Sequence, residues 1–216
     1  MNLAHASDAA LVAATLRGDE NAFTVLVGRY KKFLYRYVHR YVRDEAEAQD
    51  VLQESLIAAW KGLKSYDPSR PLEFWLRRIA LNKCRDRARR HAVRRILLPW
   101  SDGSREAAAA DPAPSIDENL MESEQLRRAR AAIDALPAKL RDPLILTAIE
   151  GLSQAEAAAI LGLTAKAVEG AVYRAKRQLT EMLKLDRPAS RRQERQPSSP
   201  PRPVELRFRR IDSITW

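Results

Sequence analysis

The chain has 216 residues, 45% of them hydrophobic, and carries a formal charge of +10 with a pI near 10.0, so it can bury one large or two small cores and is built to meet a polyanion. Nucleic acid is the usual polyanion for such a chain, with an anionic membrane surface as the alternative. The lone cysteine, Cys84, excludes an internal disulfide; three scattered histidines give no zinc ligand set; and no apolar run approaches the roughly eighteen residues a bilayer span needs.

The N-terminal stretch MNLAHASDAALVAATL has no basic leader before its apolar residues, so a cytoplasmic protein without membrane insertion is expected. Asp8 is placed to cap a first helix through Arg17, which Gly18 ends. Asp19 or Asn21 then starts a second helix, with Phe23, Leu26, Val27, Tyr30, Leu34, Tyr37, Val38 and Tyr41 on one stripe. The tyrosines fall among leucines and valines and are read as core rather than as a platform for bases. Asp44 can cap a third helix whose apolar face is Val51, Leu52, Leu56, Ala59, Trp60 and Leu63. Its opposite face carries Glu47, Asp50, Gln53 and Glu54, which phosphate would repel, so it should face solvent or a protein.

SYDPSRP, residues 65–71, reads as a loop, with Pro71 at the first turn of a fourth helix. That helix packs through Leu72, Trp75, Leu76, Ile79 and Ala80. It then becomes a cationic run of Arg77, Arg78, Lys83, Arg85, Arg87, Arg89, Arg90, Arg94 and Arg95, read as a nucleic-acid stripe with a membrane or an acidic protein as alternatives. Trp75 belongs to the packing face, while Tyr66 and Phe74 are freer to stack on a base. From Leu98 to Asn119 the chain turns to Pro, Ala, Ser, Gly and acids, the composition of a flexible acidic linker.

Helical spacing returns from Glu122 to Leu136 through Leu126, Ala129 and Ile133, and Pro137 breaks it. Another helix is expected over 138–150 with Leu140, Leu144, Ile145 and Ala148 inward. In 151–183, Gly151 can close that helix, Ser153 and Glu156 form a capping box, Gly162 supplies a left-handed turn, Leu163 plugs it, and Thr164 caps a last helix. Ala157, Ile160 and Leu161 share a face, and Val168, Val172, Ala175 and Leu179 point inward. Lys166, Glu169, Gly170, Tyr173, Arg174, Lys176 and Arg177 point out. Short helix, glycine turn and basic helix make helix-turn-helix geometry, with DNA as its target and a plain helical hairpin as the alternative. After Leu185, eight arginines against four acids among many prolines read as a disordered basic tail, whose end, with Val204, Leu206 and Phe208 alternating, can also add to a partner as a strand.

The segments DEAEAQDVLQESLIAAW, FWLRRIALNKCRDRARR and ALPAKLRDPLILTAIEGLSQAEAAAILGLTAKAVEGAVYRAKRQL, in this order and spacing, resemble the extracytoplasmic-function sigma factors of bacterial RNA polymerase, a branch of the sigma-70 family. DPSRP with LNKCRD, and TAIEGLSQAEAAAILGL with KAVEG, are similar to its nickel- and cobalt-resistance members. The resemblance implies an all-α protein of two small helical domains: a region-2-like domain over 1–96, a flexible linker over 97–119, a region-4-like helix-turn-helix domain over 120–185, and the tail over 186–216.

It implies that Asp50, Gln53 and Glu54 dock on the beta-prime clamp helices of core polymerase. Lys64, Ser65, Tyr66, Asp67 and Arg70 would form a loop holding a flipped -10 base, with Asn82, Lys83, Arg85 and Arg89 facing the DNA. Lys166, Glu169, Gly170, Tyr173, Arg174 and Arg177 would read the -35 element while that domain sits on the beta flap, and the linker would run toward the active-site cleft and RNA exit path. Relatives often carry arginine where this chain has Ala171, which implies one contact fewer. The family needs no cofactor, is not enzymatic, and is usually held by an anti-sigma factor, which is expected here for a regulon answering stress or metal. A free-standing helix-turn-helix regulator and a basic RNA-binding protein are the competing classes: the first predicts specific DNA binding without polymerase, the second no sequence preference.

Overall fold

A computed structural model of the chain describes residues 3–97 and 124–185, and every regular element among them is helical. The first module holds α1 (Asp8–Leu16), α2 (Glu20–His39), α3 (Glu45–Gly62) and α4 (Leu72–Leu97). The second holds α5 (Glu124–Asp134), α6 (Ala138–Leu144), a π-helical turn over Ile145–Ile149, α7 (Gln154–Leu161) and α8 (Ala165–Leu185). The acidic linker and the basic tail expected from sequence lie outside the described residues.

Local chemistry sets most boundaries. Asp19 accepts from the amides of Asn21 and Ala22 to start α2, Asp44 accepts from Glu47 to start α3, and Ser153 and Glu156 form a reciprocal capping box on α7. Gly162 at φ +68° ends α7, and Thr164 accepts from the Ala167 amide to begin α8. The cap of α1 is Ser7, whose hydroxyl accepts from the Ala10 amide, and not Asp8. The Asp8 carboxylate is instead taken by Arg29 at 2.8 Å and by the Tyr30 hydroxyl at 2.5 Å, which tie α1 to α2.

Leu11, Leu26, Leu34, Tyr37, Val38, Val51, Leu52, Leu76 and Leu81 fill the first core, so the tyrosine stripe packs as its spacing demands. Leu136, Leu140, Leu144, Ala171 and Ala175 form a second cluster where α8 lies on α6. The two modules pack directly against each other, because Leu146, Ala157, Ala158, Ile160 and Val168 join the same buried cluster as the first module's core.

Several side chains depart from the sequence expectation. Trp60 is 41% exposed and meets Phe23 edge-on at 4.7 Å, since α3 turns that flank outward. Leu163 is 48% exposed: the turn is closed by Gly162 and by the Leu163 amide bonding to Ala158, so no apolar plug is needed. Ala148 is exposed while Leu146 is wholly buried, because the π turn holds an extra residue and shifts which side chains face inward. Leu126 is exposed, since α5 reaches its core only toward its end, at Ala132 and Ile133. Ala171 is buried in the cluster with Leu136 and Leu140, so its side chain faces the core and not the exposed basic face.

Candidate nucleic-acid interface

The loop before α4 is held by its own polar groups. Ser65 Oγ donates to the Gly62 carbonyl at 2.7 Å, the Tyr66 hydroxyl donates to the Arg70 carbonyl at 2.5 Å, and Asp67 accepts from both the amide and the hydroxyl of Ser69. The Ser69 hydroxyl, then its amide, hold the Asp67 carboxyl below the ordinary carboxylate range. Arg70 lies 3.5 Å from the same carboxylate. The Tyr66 ring lies tilted beside Trp75, with the ring centroids 5.5 Å apart.

This loop forms one wall of an open cleft of about 640 Å³. Ser65, Tyr66, Asp67 and Arg70 line it with Phe74, Arg78 and Asn82 of α4, and Ala155, Glu156 and Ala159 of α7 face them. The structure therefore brings five of the expected -10 residues together: Ser65, Tyr66, Asp67, Arg70 and Asn82. Arg78, read from sequence as part of the cationic run, is not among the expected -10 residues. It sits four residues from both Phe74 and Asn82 on one helix, a spacing that would have found it.

The other expected members lie elsewhere. Lys64 lines a shallow site with Leu16 and Trp60. Lys83 lies 3.8 Å from Glu54, Arg85 is 2.7 Å from Asp142 of the second module, and the exposed Arg89 pairs with Asp86 at 2.6 Å. The cationic run on α4 is thus not one stripe. Arg77 is 4% exposed, and Arg87 is bound to Glu47 at 2.6 Å; the spacing of arginines records that a helix is basic but not which neighbour claims each one.

The acidic face of α3 is divided as well. Asp50 and Gln53 are exposed, with Gln53 on the rim of a groove of about 710 Å³ between α2 and α3 whose apolar floor is Leu52 and Leu56. Glu54 is turned toward α4, with Arg90 at 3.4 Å. On α8, Lys166, Glu169, Tyr173, Arg174 and Arg177 are all exposed, Tyr173 at 68%, and Gly170 lies among them with Arg174 folded over it. Lys166 Nζ is 2.8 Å from Glu169, so the basic face carries one acceptor held in place by a cation. Donors for phosphate and base edges with a single acceptor suit a helix lying in a major groove.

Sigma-70 region 2 matches residues 26–94 and Sigma-70, region 4 matches residues 126–179. The RNA polymerase sigma factor CnrH of Cupriavidus metallidurans is 37% identical over 183 residues, covering 83% of this chain and 96% of that one. The ECF RNA polymerase sigma-E factor of Escherichia coli is 34% identical over 178 residues, covering 79% and 91%.

The chain belongs to the extracytoplasmic-function sigma factors.

Among solved structures, CnrH in complex with the cytosolic domain of CnrY is similar with a TM-score of 0.57 at 34% identity, covering 83% of this sigma factor and 98% of that chain. RpoE of Bartonella quintana, in complex with the anti-sigma factor NepR, has a TM-score of 0.54 at 25% identity and covers 76% and 98%. The work of this sigma factor is accordingly in transcription initiation, and its likeness to CnrH bears out the nickel- and cobalt-resistance resemblance.

Cys84, 4% exposed in α4, has its thiol pushed up to about 12, first by burial and then by the nearby Asp142 carboxylate. Only a thiolate fraction on the order of 10⁻⁴ then exists at pH 8, so an aryl disulfide reagent should modify the folded chain roughly a thousandfold more slowly than the unfolded one, and faster as pH rises. Equal rates in the two states would contradict the buried thiol. Among the described residues no cluster of His, Cys, Asp or Glu is grouped to hold a metal ion, and no helix is long and apolar enough to cross a membrane.

Proposed function

We propose that this sigma factor binds bacterial core RNA polymerase, reads the -35 and -10 promoter elements, opens the -10 region and starts transcription of a stress or metal response regulon from the cytoplasm. Residues 1–96 would serve core binding and the -10 element and 120–185 the -35 element, with 97–119 as linker and 186–216 as a basic tail. The observation that carries this reading is the cleft that Tyr66 and Phe74 line together with Arg70, Arg78 and Asn82. It offers a stacking surface and edge donors on a helix, which is what an extruded base needs.

Opening then needs no hydrolysis: binding energy for the flipped base and the displaced strand offsets the lost pairing and stacking. Ser65, Tyr66, Asp67 and Arg70 shape the loop, Asn82 reads into it, and Lys64, Lys83, Arg85 and Arg89 supply charge along the approaching strand. Lys166, Glu169, Gly170, Tyr173, Arg174 and Arg177 enter the -35 major groove. Asp50 and Gln53 meet the beta-prime clamp helices, and Glu54 joins them when α4 releases it. The beta subunit holds the second module. An anti-sigma factor is the expected regulator, supported by the RpoE neighbour solved with NepR.

Removing both stacking faces with Tyr66→Ala and Phe74→Ala should lower promoter opening by about ten- to a hundredfold, from about 1–3 kcal/mol per stacked base. Permanganate reactivity of -10 thymines in the polymerase complex reads this directly. Undiminished opening in the folded variant would remove the cleft from the account.

A further inference from the structure

Acids claim many of the cations on α4: Glu73 and Glu150 hold Arg77, Asp142 holds Arg85, Glu47 holds Arg87 and Asp86 holds Arg89. Lys61 and Lys64, at the end of α3, are exposed and make no ion pair among the described residues. They line a shallow site of about 300 Å³ together with Thr15, Leu16, Trp60 and Leu63, and among the described residues no acid lines it. Two large apolar side chains there are turned to solvent, Leu16 at 47% and Trp60 at 41% exposed. Beyond α3 the chain runs through a 3-10 turn, Leu63–Ser65, into the wall of the -10 cleft, so the consecutive residues Lys64 and Ser65 belong to the two neighbouring surfaces. From Trp60 to Ser65 the helix rises about 8 Å, the span of two to three stacked nucleotides at about 3.4 Å each.

We infer that this site is a second seat for single-stranded DNA: the strand that leaves its flipped base in the -10 cleft continues past Lys64 and lays a further base on the indole of Trp60. Lys61 and Lys64 meet its phosphates, and Leu16 extends the apolar surface beside the ring. The edge-on contact with Phe23 at 4.7 Å holds the indole in place, so stacking costs little side-chain freedom. A protein partner would have to bring acids to both lysines as well as an apolar group. A single strand supplies an anion and a flat ring in every nucleotide, and cations beside an exposed aromatic are the combination that single-strand sites use. Binding here adds to the energy that offsets the lost pairing and stacking when the -10 region opens.

The seat rests on the promoter reading proposed above. Its test is the binding of polymerase holoenzyme to a single-stranded oligonucleotide carrying the -10 sequence of a selected promoter, alone or lengthened by three nucleotides at either end. Lengthening at one end should tighten binding by the parent about tenfold, the effect of one stacked base. Trp60→Leu should abolish that gain and Trp60→Phe should keep most of it, while both bind the short strand as the parent does. Lys61→Ala should lower the salt slope on the lengthened strand by about 0.7, the share of one phosphate, and leave the slope on the short strand unchanged. A lengthened strand that gains nothing, or a gain that Trp60→Leu retains, overturns the seat, and binding of the short strand then leaves the promoter reading standing. Weakened assembly of Trp60→Leu with core polymerase beside an undiminished gain makes the site a protein contact and overturns the seat as well. A short strand that the parent holoenzyme does not bind overturns the promoter reading and the seat together.

Discussion

Tyr37→Ala should lower the unfolding free energy by about 4 kcal/mol, the range seen when a large aromatic is cut from a core that cannot collapse onto the hole. Tyr37 has no exposed surface. It is enclosed by the first module's core, meets Tyr41 edge-on at 5.4 Å and carries Arg77 above its ring. Burial raises its hydroxyl pKa, and the Tyr37 and Tyr41 hydroxyls are enclosed together without a well-formed hydrogen bond to any described residue. Tyr37→Phe should consequently cost less than about 1 kcal/mol, because it removes a polar atom that gains little. Urea denaturation of both variants separates the ring from the hydroxyl. A phenylalanine variant as unstable as the alanine one would contradict the packing argument.

Arg77→Ala is the second large effect, at about 3 kcal/mol, near the lower end of what breaking a buried ion pair costs. Three losses coincide: the pair with Glu150, the pair with Glu73, and the stacking on Phe33 and Tyr37. Separation of the modules lets Glu150 regain water and limits the loss. Arg77→Met keeps much of the stem volume over the rings, and joined with Glu150→Gln it removes both charges together. The double variant should therefore be more stable than the sum of its single changes predicts, and a double-mutant cycle by urea denaturation measures that coupling. Strict additivity would show that Arg77 and Glu150 do not act as a pair.

These two residues also mark what the sequence made legible. Ser153 with Glu156, Gly162, Asp19 and Asp44 act within a few residues of themselves, so their caps and turns could be read from spacing alone. The core stripe from Phe23 to Tyr41 was legible for the same reason. Arg77 looked like one more cation in a basic run, because its acid Glu150 is 73 positions away, and Asp142, 57 positions from Arg85, gave no sign of burial. Both depend on how two modules meet, which helical periodicity does not encode. The π turn over Ile145–Ile149 moved Leu146 inward and Ala148 outward against a regular period. In the candidate site, the loop residues Ser65, Tyr66, Asp67 and Arg70 line one cleft with Asn82 of α4. Lys83 and Arg85 are claimed by acids of neighbouring elements that lie far off in sequence.

Run-off transcription with purified bacterial core polymerase, comparing the parent with Asp50→Ala, Gln53→Ala on promoters selected from genomic fragments, tests initiation through α3 most directly. Both side chains are exposed, so the substitutions should leave the fold intact. Transcripts with the parent and their loss with the folded variant are predicted. Sequence-specific DNA binding without any transcript, or full transcription from the variant, would contradict initiation through that face of α3.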